Sequence, residues 1–395
     1  MQAYLEPIII GILIILLMLF ISVWLWVWQP KQKLLLIATC CAAGGTLMIG
    51  VHYFIIHQTD LYGTWLYEVL QIWRTESYAW SIGIIVSIMG LLITIAVEKI
   101  INYYRPPMTV TIGQSRRALF KKIGIAVPAV TIGGSSVVAF DGQYRIEVTH
   151  HELAFPRLPQ YLHNYRLAQI SDVHIGPCID LQEFDRIMDY VLAEKPQRLL
   201  ITGDLIDTLE WLPNLCERIN KLVPQFPDGI DYILGNHEHF RDVTRVTKAL
   251  RNTSMRVLVN ENYQLNKNAG IDDRPVYLAG VDYNMNRNRI ACRQEMMEQA
   301  LAGIPDDAFV LLMAHHPEFF TEAMTRNIPM TFSGHTHGGQ INILGLNVVP
   351  IGTPYVKGMY VHGTSCCYVN RGSGHWWPIR INCPREISIF TFRSQ

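Results

Sequence analysis

Apolar residues crowd the first third of the chain and thin out after it. Ile8 to Trp28 runs without a charge, and further apolar runs follow from Leu34 to Ile56 and from Tyr78 to Val97. A helix needs about 20 apolar residues to cross a bilayer, so each run is predicted to span a membrane. A fourth stretch, Ile123 to Phe140, is shorter and contains Pro128. It follows Ser115-Arg116-Arg117-Ala118-Leu119-Phe120-Lys121-Lys122, an order that resembles a twin-arginine export signal set inside the chain. This stretch reads as a fourth span, with re-entrant or interfacial placement as the alternative. Residues 1–141 are thus expected to be an α-helical membrane region.

The basic residues orient it. Lys31 and Lys33 lie between the first two runs, and Lys99, Arg105, Arg116, Arg117, Lys121 and Lys122 lie between the third and fourth. Residues 57–77 carry Arg74 alone against Asp60, Glu68 and Glu76. The positive-inside rule puts the amino terminus and everything after Phe140 outside. The expected location is the bacterial cytoplasmic (inner) membrane, multi-pass, with the remaining domain on the periplasmic or extracytoplasmic side.

Beyond this region the pattern changes. Residues 142–164, with Pro156 and Pro159, read as a polar linker. From 165 to 395 short apolar runs stop repeatedly at clusters of Asp, His or Asn. Residues 165–170 lead into Ser171-Asp172-Val173-His174, and 198–202 lead into Gly203-Asp204-Leu205-Ile206-Asp207. Residues 232–234 lead into Gly235-Asn236-His237-Glu238, 309–313 into Ala314-His315-His316-Pro317, and 330–332 into Ser333-Gly334-His335-Thr336-His337. Helix-length segments at 181–194 and 210–222 separate the first three clusters. Alternating strands and helices predict an α/β domain with a largely parallel sheet. The carboxyl ends of such strands share one edge, so five polar clusters are expected to converge on one crevice.

Composition narrows the chemistry. Thirty-three basic residues balance thirty-three acidic ones and are not massed on the second part, which argues against nucleic-acid binding. None of the eight cysteines forms a C-x-x-C pair, so a zinc–thiolate site is not expected, and their pairing is left open. The clusters instead offer carboxylates, an amide carbonyl and imidazoles. That mixture suits a pair of divalent ions such as Mn, Fe, Zn or Co, where an all-oxygen shell would suit Ca or Mg. Asp172 and His174, two apart, would point the same way on an extended strand. Glycines 203, 235 and 334 allow close backbone approach.

In order, the motifs read D-x-H, GD-x-x-D, GNHE, H-x-P and GHTHGG. This set resembles the calcineurin-like metallophosphoesterase superfamily. Gly334 to Gln340, Tyr368-Val369-Asn370-Arg371-Gly372-Ser373-Gly374, Pro378-Ile379-Arg380 and Pro384-Arg385-Glu386-Ile387 resemble its bacterial membrane-linked YkuE/YaeI-type phosphodiesterase branch. The likeness covers residues 165–392. It implies a four-layer α/β/β/α sandwich behind the membrane region. It also implies that Asp172, His174 and His337 hold one ion, that Asn236, His315 and His335 hold a second, and that Asp204 bridges them. His316 is the rival to His315. The resemblance places His237 at the substrate phosphoryl or leaving-group oxygen, with Asp207 orienting its ring. The implied reaction is hydrolysis of a P–O bond by in-line attack of a metal-bridging hydroxide. Thr208 stands where the superfamily's protein phosphatases carry an arginine, which favours diesters or small esters.

The expected activity is a membrane-anchored phosphodiesterase acting on a phosphoester, with a lipid or envelope-derived substrate suggested by the tether. The alternatives are a phosphomonoesterase on the same site and a metal-binding sensor or transport subunit without catalysis. His239 reads as a surface or supporting residue. The polar loop Asn284, Asn286, Arg287, Asn288 and Arg289 reads as a phosphate contact or a solvated loop. Trp376-Trp377 reads as a membrane-surface contact or as core packing.

Overall fold

The computed structural model describes residues 64–104 and 122–394, apart from 124–125, 128–129, 132, 140, 267–273, 284–289, 344, 348–351, 376 and 378. The chain divides into two compact units, residues 1–141 and 142–395.

In the first unit, helix α1 (Trp65–Tyr104) is 40 residues long. It contains the uncharged run Tyr78–Val97 and extends beyond it at both ends. Val86, Met89, Leu92, Ile93 and Val97 are exposed along it. Its hydroxyls turn inward: Ser87 Oγ donates to the Gly83 carbonyl at 2.7 Å and Thr94 Oγ1 to the Gly90 carbonyl at 2.8 Å. From the fourth apolar run, Ser135 Oγ donates to the Ala79 carbonyl at 2.7 Å, and Thr131 shares a hydrogen bond with Ser87. With the undescribed positions set aside, no helix among the described residues is long and apolar enough to cross a membrane. The sequence of Tyr78–Val97 holds no charge all the same. The runs at 8–28 and 34–56 lie outside the described residues.

The second unit is a sandwich of two six-stranded mixed sheets. One sheet has the order β1 (Ile146–Phe155), β14 (Arg385–Ser394), β2 (Arg166–Ile170), β3 (Arg198–Thr202), β4 (Ile230–Ile233), β5 (Arg256–Leu258). The other has β12 (Gly358–His362), β13 (Ser365–Val369), β9 (Met330–Ser333), β8 (Phe309–Met313), β7 (Val276–Gly280), β6 (Glu261–Gln264), and β10 (Asn342–Ile343) with β11 (Leu346–Asn347) forms a separate pair. The segments β2–β3–β4–β5 and β13–β9–β8–β7 are parallel, while β14 runs antiparallel to β2. Leu167, Leu200, Ile233, Leu278, Leu311, Phe332 and Phe390 fill the space between the sheets.

Helices close both outer faces. On the first sheet, α2 (Leu181–Ala193), α3 (Leu212–Leu222) and α5 (Val243–Arg251), the last following the short α4 (Asn236–Phe240), bury Phe184, Ile187, Leu215, Ile219 and Leu250. On the second, α6 (Ile290–Leu301) and α7 (Phe319–Thr325) bury Met297, Phe319 and Phe320. The layers are therefore α/β/β/α.

Two expectations need correction. Residues 146–155, read as part of a linker, form an edge strand paired in parallel along its whole length with β14. Polar residues such as Thr149, His150 and His151 hide its alternation, and its partner lies at the far end of the chain. Asp172 and His174 do not sit on an extended strand. Strand β2 ends at Ile170, and both residues adopt left-handed backbone with φ of 51° and 55°. Their convergence comes from a tight loop. Cys216, Cys292, Cys366, Cys367 and Cys383 form no disulfide.

Candidate metal centre

Each polar cluster leaves the carboxyl end of a strand. The loop after β2 is tied to the loop after β3 by Asp172 N–H donating to the Gly203 carbonyl at 3.1 Å and His174 N–H to the Asp204 carbonyl at 3.0 Å. In the second sheet, Gly334 N–H donates to the His315 carbonyl at 3.0 Å. Gln169 stitches the sheets together, its Nε2 donating to Thr202 Oγ1 and to the Ser333 carbonyl, each at 3.0 Å. A Cβ at Gly235 would collide with the Asp204 carboxylate, so only glycine lets β4 deliver Asn236 here.

The structure brings all nine residues singled out in the sequence to one place. In one group, His174 Nε2 and His337 Nε2 are 3.1 Å apart, and Asp172 Oδ1 lies 3.4 Å from His337 Nε2 and 4.0 Å from His174 Nε2. In the other, Asn236 Oδ1 lies 3.1 Å from His315 Nε2 and 2.8 Å from His335 Nδ1, and those two nitrogens are 3.3 Å apart. Asp204 Oδ2 stands between the groups, 3.7 Å from His174 Nε2 and 3.3 Å from His315 Nε2. Donor atoms held about 2.1 Å from a tetrahedral ion stand about 3.4 Å from one another. These separations fit that spacing.

The charge balance also fits. Asp172 and Asp204 are buried, and the countercharge facing them comes from imidazoles. Burial opposes the charged form of His315, yet Asp204 and Asp172 raise it to about 10. The pocket draws in a proton where a cation would serve. The clustered Asp and His groups fit a dinuclear metal site.

Beside the centre, Asp207 Oδ1 meets His237 Nδ1 at 2.6 Å, and its Oδ2 lies 3.3 Å from His174 Nδ1. One carboxylate thus hydrogen-bonds to the His237 ring and faces that of His174. Burial disfavours charge on His237, but Asp207 and Asp204 raise it to about 9. Its ring packs on Phe240, which is exposed, with centroids 5.6 Å apart. Arg241 brings its guanidinium to 3.6 Å from Asp207 Oδ1.

His315 faces the centre through Nε2, and its rival His316 does not. The His316 ring lies against that of His335, with centroids 4.6 Å apart, and its Nδ1 accepts from Glu318 N–H at 3.3 Å. His239 pairs with Asp282 at 2.9 Å. The polar loop 284–289 and Trp376 lie outside the described residues. Trp377 is half-buried, and its carbonyl accepts from Gln340 Nε2 at 2.8 Å.

Sequence reasoning gave no role to Glu238. Its buried carboxylate accepts backbone N–H groups from Gly235 at 2.8 Å, Asp204 at 3.1 Å, Leu205 at 2.8 Å and Ile206 at 3.3 Å. An acid three residues after a helix cap signals this use. Replacing Glu238 with Ala leaves several buried donors unmatched. Unfolding free energy should fall by about 3 kcal/mol or more, read from denaturant midpoints. An unchanged midpoint would contradict this role.

The calcineurin-like phosphoesterase family model matches residues 165–339. The chain is 29% identical over 292 residues to the uncharacterized metallophosphoesterase YkuE of Bacillus subtilis, covering 71% of this chain and 98% of that protein. It is 30% identical over 255 residues to the uncharacterized metallophosphoesterase Cj0846 of Campylobacter jejuni, covering 63% of this chain and 64% of that one. It is also 28% identical to a transmembrane protein with metallophosphoesterase domain of Danio rerio, covering 61% of this chain and 56% of that one. With fold, clustered donors and relatives in agreement, residues 165–339 are a calcineurin-like phosphoesterase domain, and the chain is similar to the metallophosphoesterases of the branch that includes YkuE.

Proposed function

We propose that this protein is a membrane-anchored phosphodiesterase. In this reading Asp172, His174 and His337 would hold one divalent ion, Asn236, His315 and His335 would hold a second, and Asp204 would serve both. The observation that carries it is the place of Asp204 Oδ2 between two sets of donors. Two such ions, of Mn, Fe, Zn or Co type, acidify water and draw charge from phosphoryl oxygens.

The chain's own residues do the rest. Glu238 fixes the backbone that presents Asp204. Asp207 holds His237 through Nδ1, which leaves Nε2 to give a proton to the departing oxygen. Phe240, exposed beside that ring, offers an apolar surface for a leaving group. Thr208 in place of an arginine clamp favours a diester over a phosphoprotein.

The uncharged run Tyr78–Val97 and the exposed Val86, Met89, Leu92, Ile93 and Val97 support a membrane anchor, as does a relative that is itself named a transmembrane protein. The basic loops support an extracytoplasmic domain at the bacterial inner membrane, and the tether a lipid or envelope-derived substrate. A reporter that works only in the cytoplasm, fused after Gln395, should stay silent. A working one would reverse the orientation.

The test of activity compares bis-p-nitrophenyl phosphate with p-nitrophenyl phosphate, using the full chain loaded with Mn. The diester should be cleaved faster, and a chelator should abolish cleavage. Faster monoester cleavage would make it a phosphomonoesterase. Metal-loaded protein that cleaves neither would point to a sensor or transport subunit.

A further inference from the structure

The carboxyl-terminal motifs fold onto the metal centre. Ser373 N–H donates to the Ser171 carbonyl at 2.7 Å and Gly374 N–H to the Asp172 carbonyl at 3.1 Å. Beneath this loop lies Arg380, fully buried. Its Nη2 donates to the carbonyls of Gly374 at 2.6 Å and Arg371 at 2.9 Å, and its Nη1 to that of Cys383 at 3.2 Å. Among the described residues no carboxylate forms an ion pair with it. The same Nη2 lies 3.1 Å from His337 Nδ1. Gly372, at φ +87°, makes room for the contact: a Cβ there would stand 2.9 Å from Arg380 Nη2 and 3.2 Å from His337 Nδ1.

The outward nitrogens of three rings can be compared. His315 Nδ1 meets the Thr202 carbonyl at 2.7 Å, and His174 Nδ1 faces the Asp207 carboxylate at 3.3 Å. Both are acceptors, and an acceptor behind a ligating imidazole makes it a stronger ligand. Behind His337 stands a fixed cation instead. A guanidinium carries only donors, and a neutral ring that ligates through Nε2 carries its proton on Nδ1, so metal binding there sets two donors against each other. Its charge also opposes a dication in a buried, weakly screened place.

We propose that Arg380 is a positioning residue that makes the two metal sites unequal, so that the ion held with His337 is the weaker and more exchangeable one. This rests on the dinuclear reading above. The guanidinium keeps loop 371–374 and the His337 ring in place, at the cost of affinity in that site alone.

The test is a calorimetric titration of the full chain, purified in detergent and freed of metal, with Mn alone. Wild-type protein should bind two ions with affinities differing about 10–100-fold. His337→Ala should remove the weaker class and His335→Ala the tighter one. Arg380→Met should tighten the weaker class about tenfold, and Arg380→Lys, which keeps the charge, should not. Folding of each variant is checked by thermal melting. Loss of the tighter class in His337→Ala overturns the proposal, and so does a folded Arg380→Met with equal or weaker binding. If Arg380→Met does not fold, the His337 and His335 variants decide. A wild-type protein that binds fewer than two ions would instead sink the dinuclear reading.

Discussion

Asp204→Asn should lower phosphodiester turnover about 10³-fold, a loss of about 4 kcal/mol of transition-state stabilisation, without unfolding the protein. Asp204 Oδ2 is the atom shared by the two donor groups. An amide at this position carries no charge and presents either one oxygen or an NH₂ group, so one group loses its negative partner. The backbone around it is held separately. Asp204 N–H is bound to Glu238, and its carbonyl accepts from His174. Thermal melting should therefore change little while bound metal falls toward one ion or none. If turnover and metal content both persist, Asp204 does not join two ions.

His237→Ala should leave the metal content intact and lower kcat about 10²–10⁴-fold, the range typical of general acid catalysis. The ring is not part of either donor group. It sits beside them, tied to Asp207 at 2.6 Å and lying across from His174 with ring centroids 4.3 Å apart. A proton donor matters most when the departing oxygen is a poor leaving group. The loss should therefore be smaller for a p-nitrophenyl ester than for an alkyl ester, which needs the proton more. Equal losses for both substrates would remove His237 from this role and leave it as a binding residue.

The strands that deliver the site were legible because each buried run stops at a polar cluster. Residues 198–202 and 309–313 are the strands β3 and β8 as expected. Convergence of the clusters followed from parallel pairing of β2, β3 and β4. The loop geometry was not legible. Asp172, His174, Asp204, His335 and His337 all take left-handed backbone, a choice made by contacts between loops that no local pattern records. Strand β1 was missed because its partner β14 lies at the other end of the chain. Glu238 and Arg380 were visible only as letters in motifs. Their roles depend on which backbone groups come to face them after folding.

An anomalous-scattering map from a crystal of the Mn-loaded protein tests the central claim most directly. Two peaks are expected in each molecule, one among Asp172, His174 and His337, the other among Asn236, His315 and His335, with Asp204 between them. A single peak in active protein, or metal bound away from both groups, would contradict it.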